Sequence, residues 1–303
     1  MRRLRTATKL FFCLALMSAT HLIAQDDLAI AGFESLIKAG RFAEVGPQLE
    51  TYIAAHPQSW QALYQLGYVD FRLHRIQKSV ALLCKSLVLR PTFADSHKIL
   101  AFDLNILGRP DLAIRELEQA IKYHPDSAES HYELGRIYYE QGSYLDAVKQ
   151  LERSKSLAPA SVRVYHNLGL AYSALADNAK AVENFETGLR LNTQQPKPSA
   201  WPLIDYATYH NLQGNFEKAR DMLLEAIQID STWDQEFEEL SKAYRGLGQI
   251  ANAIDALKHA ITLNPNKADY HYVLARLYTQ TNQVALAKEQ LSQYESQKSS
   301  QAK

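Results

Sequence analysis

The chain has 303 residues, of which 47% are hydrophobic and 22% are charged, values that are ordinary for a soluble protein. Its 33 basic and 33 acidic residues balance, and it contains only 12 glycines and 10 prolines. No alternating runs rich in valine and threonine occur, so the composition argues against a β fold and predicts helices throughout.

The first segment, residues 1–24, has the pattern of a secretory signal peptide. Arg2, Arg3, Arg5 and Lys9 precede an apolar run over residues 10–24 that is shorter than the roughly 20 residues needed to span a bilayer. A small residue, Ala24, predicts cleavage there. We therefore expect an exported protein, periplasmic or secreted, with no stable membrane insertion after cleavage. An uncleaved N-terminal anchor is the alternative.

Removal of residues 1–24 takes away four basic and no acidic residues, so 29 basic and 33 acidic residues remain, a net charge of −4. The remaining chain has no basic run of the kind that neutralises phosphates, and we expect no nucleic-acid partner. One cysteine, Cys84, is left without an internal disulfide partner. We interpret it as a buried, inert thiol, with an intermolecular link as the alternative.

From residue 26 onward the sequence repeats itself every 34 residues. Gly67, Gly135 and Gly169 share one repeat position. Twelve residues later comes a small residue, usually alanine, and four residues beyond that a leucine or phenylalanine. The small residues include Ala113, Ala147, Ala181, Ala219, Ala253 and Ala287, and the large ones include Leu117, Leu151, Phe185, Leu223, Leu257 and Leu291. A period of this length predicts a stack of supersecondary units.

Each repeat is predicted to be a helical hairpin. Apolar residues recur three and four positions apart in two runs, and a glycine such as Gly142 separates the runs and permits the left-handed conformation that ends a helix. Small residues such as Gly135 and Ala147 fit where the two helices cross closely. A proline, for example Pro159, ends the second helix. One hairpin cannot bury its own apolar face, so the hairpins must stack.

This pattern resembles the tetratricopeptide repeat family over nearly the whole chain after residue 25. The resemblance implies an all-α fold, an α-solenoid with a right-handed superhelix of about eight helical hairpins. The predicted repeats 1 to 8 are residues 26–59, 60–93, 94–127, 128–161, 162–195, 200–233, 234–267 and 268–301. Residues 196–199, Pro-Lys-Pro-Ser, are four extra residues that we expect to form a loop, with a domain boundary there as the weaker alternative.

The stretch HYELGRIYYE, which begins at His131, contains many groups used in acid-base chemistry. Its residues point to different sides of a helix, however, and His131 occupies the same repeat position as His97 and His271, which predicts a structural role. No catalytic, metal-binding or phosphate-binding motif occurs elsewhere. We therefore expect no enzyme activity, no metal and no cofactor.

In the family, ligands usually lie along the concave face formed by the first helix of each hairpin. The residues at the corresponding offsets are Tyr64, Tyr68, Phe71, Lys98, Phe102, Asn105, Tyr132, Arg136, Tyr139, Arg163, His166 and Asn167. Exposed aromatic residues in a groove are typical of a binding surface, although some tyrosines can instead shield neighbouring helices. A more polar lining follows in repeats 6 to 8, at Asp205, Asn211, Lys242, Arg245 and Arg276 among others.

These residues predict a non-enzymatic scaffold that binds a peptide or segment of another protein in the groove, with an envelope assembly or a secretion system as the expected setting. The family's pattern of lysines, asparagines and an arginine that grips a C-terminal carboxylate is not reproduced, so that specificity is not predicted. A small-molecule binder or an enzyme accessory subunit is the alternative. Self-association through the terminal hairpins is a third possibility.

Overall fold

The computed structural model describes residues 28–301, and within this range it contains helices, turns and loops but no strand. The predicted signal peptide, residues 1–24, lies outside the described residues. The helices in chain order are α1 (28–38), α2 (Phe42–Ala55), α3 (Trp60–Arg72), α4 (Ile76–Leu89), α5 (Ala94–Ile106), α6 (Pro110–Tyr123), α7 (Ala128–Glu140), α8 (Tyr144–Leu157), α9 (Val162–Ala174), α10 (Asn178–Thr193), α11 (Trp201–Leu212), α12 (Phe216–Ile229), α13 (Asp234–Gly246), α14 (Ile250–Leu263), α15 (Ala268–Gln280) and α16 (Val284–Gln301). The fold is an all-α solenoid of helical hairpins, as predicted.

The two helices of a hairpin approach closely where the sequence places small residues. A methyl group added at Gly67 of α3 would lie 2.9 Å from the Leu83 side chain of α4. At Gly169 of α9 the same group would lie 2.7 Å from the ring of Phe185 in α10. Ala147 is fully buried. Leu83 and Phe185, each four positions after a small residue of the second helix, therefore pack directly on the backbone of the first helix of their hairpins.

The turns between paired helices use a left-handed residue at one repeat position. Five of these residues are glycines, namely Gly40, Gly108, Gly142, Gly214 and Gly248, with φ between 69° and 76°. The other three are His74, Ala176 and Asn282, with φ of 57°, 58° and 59°. The hairpin geometry thus imposes the left-handed conformation even where the sequence provides a side chain.

The chain divides into two compact units within α7, one ending at Ile137 and the other beginning at Tyr138. The division does not fall at residues 196–199. The core of the N-terminal unit includes a cluster around Val45, Leu49 and Val69. That of the C-terminal unit includes clusters in α11 to α13 and in α14 to α16.

The Pro-containing segment at 196–199 connects α10 to α11 without helix. Asn192, near the end of α10, fixes it with two hydrogen bonds: Asn192 Nδ2 donates to Ser199 O at 2.8 Å, and Ser199 N donates to Asn192 Oδ1 at 3.1 Å. The buried amide of Asn192 therefore anchors the four extra residues to the helix that precedes them.

The burial predicted for Cys84 is wrong, and one residue of the leucine repeat position is less buried than the others. Cys84 is exposed, because it follows the fully buried Leu83 on α4 and lies on the adjacent, outward side of that helix. Leu291 of α16 remains 38% exposed, whereas Leu83, Leu117 and Leu151 at the same repeat position are fully buried. No further hairpin follows α16 within the described residues to cover it.

Candidate partner-binding surface

Four of the predicted groove residues form a continuous row of rings in the N-terminal unit. The centroids of Tyr64 and Tyr68 lie 6.5 Å apart, those of Tyr68 and Phe71 6.4 Å, and those of Phe71 and Phe102 6.0 Å. We call these four residues the aromatic strip. Tyr64, Tyr68 and Phe71 lie on α3 and Phe102 lies on α5, so the strip crosses from one hairpin to the next.

The aromatic strip is half-buried, because its rings pack against the core cluster of Leu83, Ile99 and Leu100. Open rings and rings that shield neighbouring helices were the two alternatives, and the strip is intermediate between them. Each ring has one side against the core and a remaining accessible portion. This arrangement holds the rings rigidly, so a partner that covers them would lose little additional side-chain entropy.

A cation already lies on this surface. Arg72, at the exposed end of α3, places its guanidinium 4.7 Å from the ring centroid of Phe42 and 5.8 Å from that of Tyr68. Its Nη1 also donates a hydrogen bond to the Tyr68 hydroxyl at 2.8 Å. These faces of Phe42 and Tyr68 therefore attract positive charge, as expected from the electron-rich faces of aromatic rings.

Beside the aromatic strip the N-terminal unit contains a cavity of about 360 Å³, which we call the first-repeat cavity. Its lining residues come from α1, from α3 and from the start of α5 and the residue before it. They are Ile30, Glu34, Ile37, Lys38, Trp60, Gln61, Tyr64, Gln65, Tyr68, Phe93 and Asp95. The rings of Trp60 and Phe93 lie 4.7 Å apart, and Tyr64 meets Phe93 edge to face at 4.9 Å. Aromatic and charged side chains thus converge on one concave site.

The other predicted groove residues of the N-terminal unit differ in accessibility. Lys98 is half-buried and lies 3.1 Å from Asp95 and 3.3 Å from Glu129. Burial opposes its charge, but the two carboxylates raise the pKa of Lys98. Asn105 is half-buried.

Two predicted groove residues of α7 also belong to the N-terminal unit. Arg136 is half-buried, and its Nε donates to Glu133 Oε2 at 2.9 Å. Tyr132 is only 8% exposed. It is therefore a core residue and not an open contact, which corrects the prediction at this position.

In the C-terminal unit the predicted residues are Tyr139, Arg163, His166 and Asn167. Tyr139 is half-buried and Arg163 is exposed. His166 and Asn167 are buried, which corrects the expectation that they line an open face. Asn167 Nδ2 donates to Arg163 O at 2.9 Å, a bond within α9. Of these four residues, Tyr139 and Arg163 offer surface to a partner.

The side chain of His166 is held inside the C-terminal unit by Asp205 of α11. Its Nε2 lies 3.0 Å from Asp205 Oδ2, and Trp201 meets the imidazole ring edge to face at 4.5 Å. Burial lowers the pKa of His166 to about 3, and burial followed by the charge of Glu239 raises the pKa of Asp205 to about 7. The low dielectric surroundings disfavour charge on both groups.

The histidines at the repeat position of His131 are buried and hydrogen-bonded, in agreement with the structural role predicted for His131. His131 is buried, and its Nε2 lies 3.0 Å from the carbonyl oxygen of Pro125. His97 makes the same contact with Pro91 O at 2.9 Å. Each imidazole therefore contacts the proline that ends the preceding repeat. Packing alone was expected, and the structure adds this hydrogen bond.

The polar residues of repeats 6 to 8 form a network in the C-terminal unit. Asn211 Nδ2 donates to Glu239 O at 3.0 Å and to Glu239 Oε2 at 2.9 Å. Lys242 Nζ lies 2.7 Å from Glu239 Oε1 and 2.9 Å from Glu238 Oε1. Exposed Arg245 and Arg276 line neighbouring cavities of about 400 and 270 Å³, with Arg245 common to both.

The sequence did not predict the residues that make the first-repeat cavity concave, notably Trp60, Gln65 and Phe93. One feature of the sequence does indicate this cavity. Trp60 is the first residue of its predicted repeat, where repeats 3, 4, 6 and 8 have alanine. A tryptophan at a position that elsewhere holds the smallest apolar side chain indicates a local cavity wall, but periodicity alone places it only at a repeat boundary.

The described residues show neither a metal centre nor a membrane span. Between residues 28 and 301, no three histidine, cysteine or acidic side chains are grouped so that they could hold a metal ion. No helix in the same range is long and apolar enough to cross a bilayer.

Three tetratricopeptide repeat family models match the sequence, over residues 107–162, 160–232 and 244–302. The chain is a tetratricopeptide repeat protein. Proteins of this family generally act as protein-interaction scaffolds and are typically not enzymes. A search of curated proteins finds no significant match to the sequence of this tetratricopeptide repeat protein.

Several solved structures share the fold. The Cut9–Hcn1 hetero-tetramer of APC/C is similar with a TM-score of 0.68 and 19% identity over 81% of this chain and 48% of that chain. This protein thus spans about half the length of that relative. A tetratricopeptide repeat protein from Parabacteroides merdae has a TM-score of 0.64 and 14% identity over 86% and 98% of the two chains. PilW, described as a type IV pilus biogenesis factor, has a TM-score of 0.61 and 18% identity over 67% of this chain and 92% of that chain. At these identities the likeness establishes the fold.

Proposed function

We propose that this protein is a non-enzymatic scaffold that holds a segment of another protein on the aromatic strip and the first-helix surfaces beside it. The observation that carries the proposal is the row of four half-buried rings, which joins α3 to α5 and continues into the first-repeat cavity. Rigid aromatic side chains provide large contact area at small entropic cost and are enriched among residues that dominate binding energy. An extended peptide and a single helix are the two kinds of partner segment that we expect on such a surface.

We also propose that the protein acts after export, in an envelope assembly or a secretion system. Support comes from the sequence of residues 1–24, with its four basic residues followed by a short apolar run. Tyr139 and Arg163 are proposed as further contacts on the C-terminal unit, because they are the accessible members of the predicted set there.

Site-specific photo-crosslinking in the cell of origin tests the scaffold proposal. A photoreactive phenylalanine derivative is introduced at position 72, beside the aromatic strip, or at position 118 on the exposed side of α6 as the control. We expect a discrete crosslinked protein at position 72 and none at position 118. Equal crosslinking at both positions, or none at position 72 under conditions in which the protein is expressed and folded, would contradict the proposal.

A small-molecule binder is the second candidate, favoured by the volume of the first-repeat cavity, about 360 Å³, which falls in the range of ligand pockets. Native mass spectrometry of protein purified from its own cells distinguishes the two. A co-purifying small molecule that is lost in a Trp60→Ala variant would favour this candidate. A protein of unaltered mass favours the scaffold.

A further inference from the structure

The chemistry of the first-repeat cavity is more specific than a general peptide groove requires. We propose that this cavity receives the basic side chain, lysine or arginine, of the bound segment. The inference rests on the proposed scaffold function and names the residue type that the scaffold selects. Four features of the lining support it: the rings, the carboxylates, a free acceptor and the size.

The rings form a corner suited to a cation. Phe93 contacts Trp60 at 4.7 Å with planes inclined by 57°, and contacts Tyr64 at 4.9 Å with planes inclined by 82°. An ammonium or guanidinium group placed near such faces is attracted by the ring quadrupoles. Rings in this region already hold cations of this chain, since the Arg90 guanidinium lies 5.8 Å from the centroid of Trp60 itself and Arg72 lies over the nearby ring of Phe42.

The charges of the lining favour a cation as well. Two carboxylates, Glu34 and Asp95, line the cavity together with a single basic residue, Lys38, whose Nζ lies 2.6 Å from Glu34 Oε1. The lining alone has two acids against one base, and just outside it Lys98 lies 3.1 Å from Asp95 Oδ1 and 3.3 Å from Glu129 Oε2, so Asp95 would share its charge between Lys98 and the bound cation. Burial, followed by Asp95 and then other groups including Glu34, raises the pKa of the Tyr64 hydroxyl, so the field of both carboxylates reaches the cavity wall.

A buried acceptor inside the cavity has no donor. Gln65 is 7% exposed, and its Nε2 donates to the carbonyl oxygen of Ile30 at 3.2 Å. That bond fixes the amide, while Gln65 Oε1 has no hydrogen-bond partner in the described part of the chain. Leaving a buried acceptor unpaired costs roughly 1–3 kcal/mol. An ammonium or guanidinium N–H would satisfy it, whereas a carboxylate or an apolar side chain would not.

The volume fits one long side chain. About 360 Å³ lies at the lower end of the range for ligand pockets, and apolar walls from Ile30, Ile37 and the aromatic rings would cover a methylene stem. The stem would pack on these walls while its charged end reaches Glu34, Asp95 and Gln65. An acidic side chain would meet like charge here, and a short polar one would leave the walls uncovered.

The test titrates the full chain, labelled with ¹⁵N, with a heptapeptide probe, acetyl-Gly-Ala-Leu-Lys-Leu-Ala-Gly-amide. The readout is the indole N–H signal of Trp60, assigned with a Trp60→Phe variant and compared with the signals of Trp201 and Trp233 in the same spectrum. We expect the lysine peptide and its arginine counterpart to shift the Trp60 signal. Counterparts with norleucine or glutamate at the central position should bind at least tenfold more weakly. Added salt should weaken the binding of the lysine peptide and leave the binding of the norleucine peptide unchanged.

Three variants distinguish binding in the cavity from nonspecific electrostatic attraction of the peptide. Gln65→Leu and Asp95→Asn should each reduce affinity for the lysine peptide at least fivefold while the circular dichroism spectrum stays unchanged. Glu50→Gln removes an exposed carboxylate of α2 that does not line the cavity, and should leave the affinity unchanged. Equal binding of the lysine and norleucine peptides, or a Trp60 signal that does not move, overturns the proposal.

Other outcomes identify another occupant. If replacing Arg2, Arg3 and Arg5 with glutamine in the full chain shifts the Trp60 signal without peptide, the occupant is the chain's own N-terminal segment, and a partner side chain is excluded. Failure of the inference and of the scaffold function are distinguishable. Crosslinking at position 72 with no preference for basic peptides removes only the inference, whereas basic-peptide binding without a cellular crosslink removes the scaffold proposal as stated.

Discussion

Ser79 Oγ donates a hydrogen bond to Asp103 Oδ2 at 2.5 Å, and both residues are fully buried. Ser79 occupies the repeat position at which Ala113 and Ala147 lie at helix crossings. The serine thus departs from the small apolar residues found at this position, and its hydroxyl pairs with a carboxyl group on the next hairpin. Burial raises the pKa of Asp103 to about 6, partly offset by this hydrogen bond.

Removing the Ser79 hydroxyl should therefore destabilise the protein, although alanine fits the site. We expect Ser79→Ala to lower the free energy of unfolding at pH 8 by roughly 1–3 kcal/mol, because it leaves a buried carboxylate without its donor. In a double-mutant cycle, Ser79→Ala should cost much less when Asp103 is also alanine. Urea unfolding checks both values, with exposed Ser292→Ala as the control. Additive effects would show that the two side chains do not interact.

Glu236 of α13 gives a prediction for pH. Its side chain is fully buried, both carboxyl oxygens lack a partner among the described residues, and burial followed by the charge of Asp230 raises the pKa of Glu236 to about 7. Below pH 4.5 the group is protonated in both the folded and the unfolded state. As the pH rises from about 4.5 to 7 the unfolded state releases the proton first, so stability is lost, and the loss is complete above about pH 7.

Glu236→Gln should remove this dependence. We expect the variant and the wild type to have similar stability near pH 4, and the variant to be more stable by roughly 1–3 kcal/mol at pH 8. Thermal unfolding of the two proteins across this range, with the exposed Glu217→Gln as control, measures the difference. A stability difference that does not change with pH would contradict a raised pKa.

Ala176 is strained at the turn between α9 and α10. Its φ of 58° is left-handed, whereas five equivalent turns use glycine. Ala176→Gly should raise the free energy of unfolding by roughly 0.5–1 kcal/mol, because the steric cost for an L-residue exceeds the added entropy of glycine in the unfolded chain. Gly142→Ala is the matched reverse change and should destabilise. If Ala176→Gly lowers the melting temperature, the turn does not require the left-handed conformation.

Ala147 of α8 tests the tight helix packing that its repeat position predicts. Ala147→Leu adds three carbons at a fully buried site and should cost roughly 1–3 kcal/mol or more. Lys149→Ala, two residues later on the exposed side of α8, should change stability by less than about 0.5 kcal/mol. Equal melting temperatures for the two variants would show that position 147 has room for a larger side chain.

The sequence predicted the fold well because the features that set it are local and periodic. Gly67 and Gly169 were placed at helix crossings by the 34-residue period alone, and the turn glycines by their position between apolar runs. The period does not determine how far a side chain is covered by the next hairpin. Tyr132, His166 and Asn167 therefore appeared as groove residues although they are buried.

The first-repeat cavity was missed for a related reason. It depends on side chains that break the repeat, such as Trp60, and on the packing of α1 against α3. The interaction of Ser79 with Asp103 could not be predicted from the sequence either, because each residue taken alone is an ordinary polar substitution in the repeat. Pairwise relationships between repeats thus carry the individual chemistry of this protein, while the repeat itself specifies the scaffold.

The half-buried state of Phe102 decides how the aromatic strip can be tested. Its ring packs against the cluster of Leu83, Ile99 and Leu100 and lies 6.0 Å from Phe71. Phe102→Ser should therefore lower the free energy of unfolding by roughly 1–2 kcal/mol, because it removes buried apolar area worth about 25 cal/mol per Å². Leu145→Ser, at a side chain that is 74% exposed, should change stability by less than about 0.5 kcal/mol. Urea unfolding measures both. An unchanged stability for Phe102→Ser would mean that the ring is open, so that serine substitutions along the strip would report on binding alone.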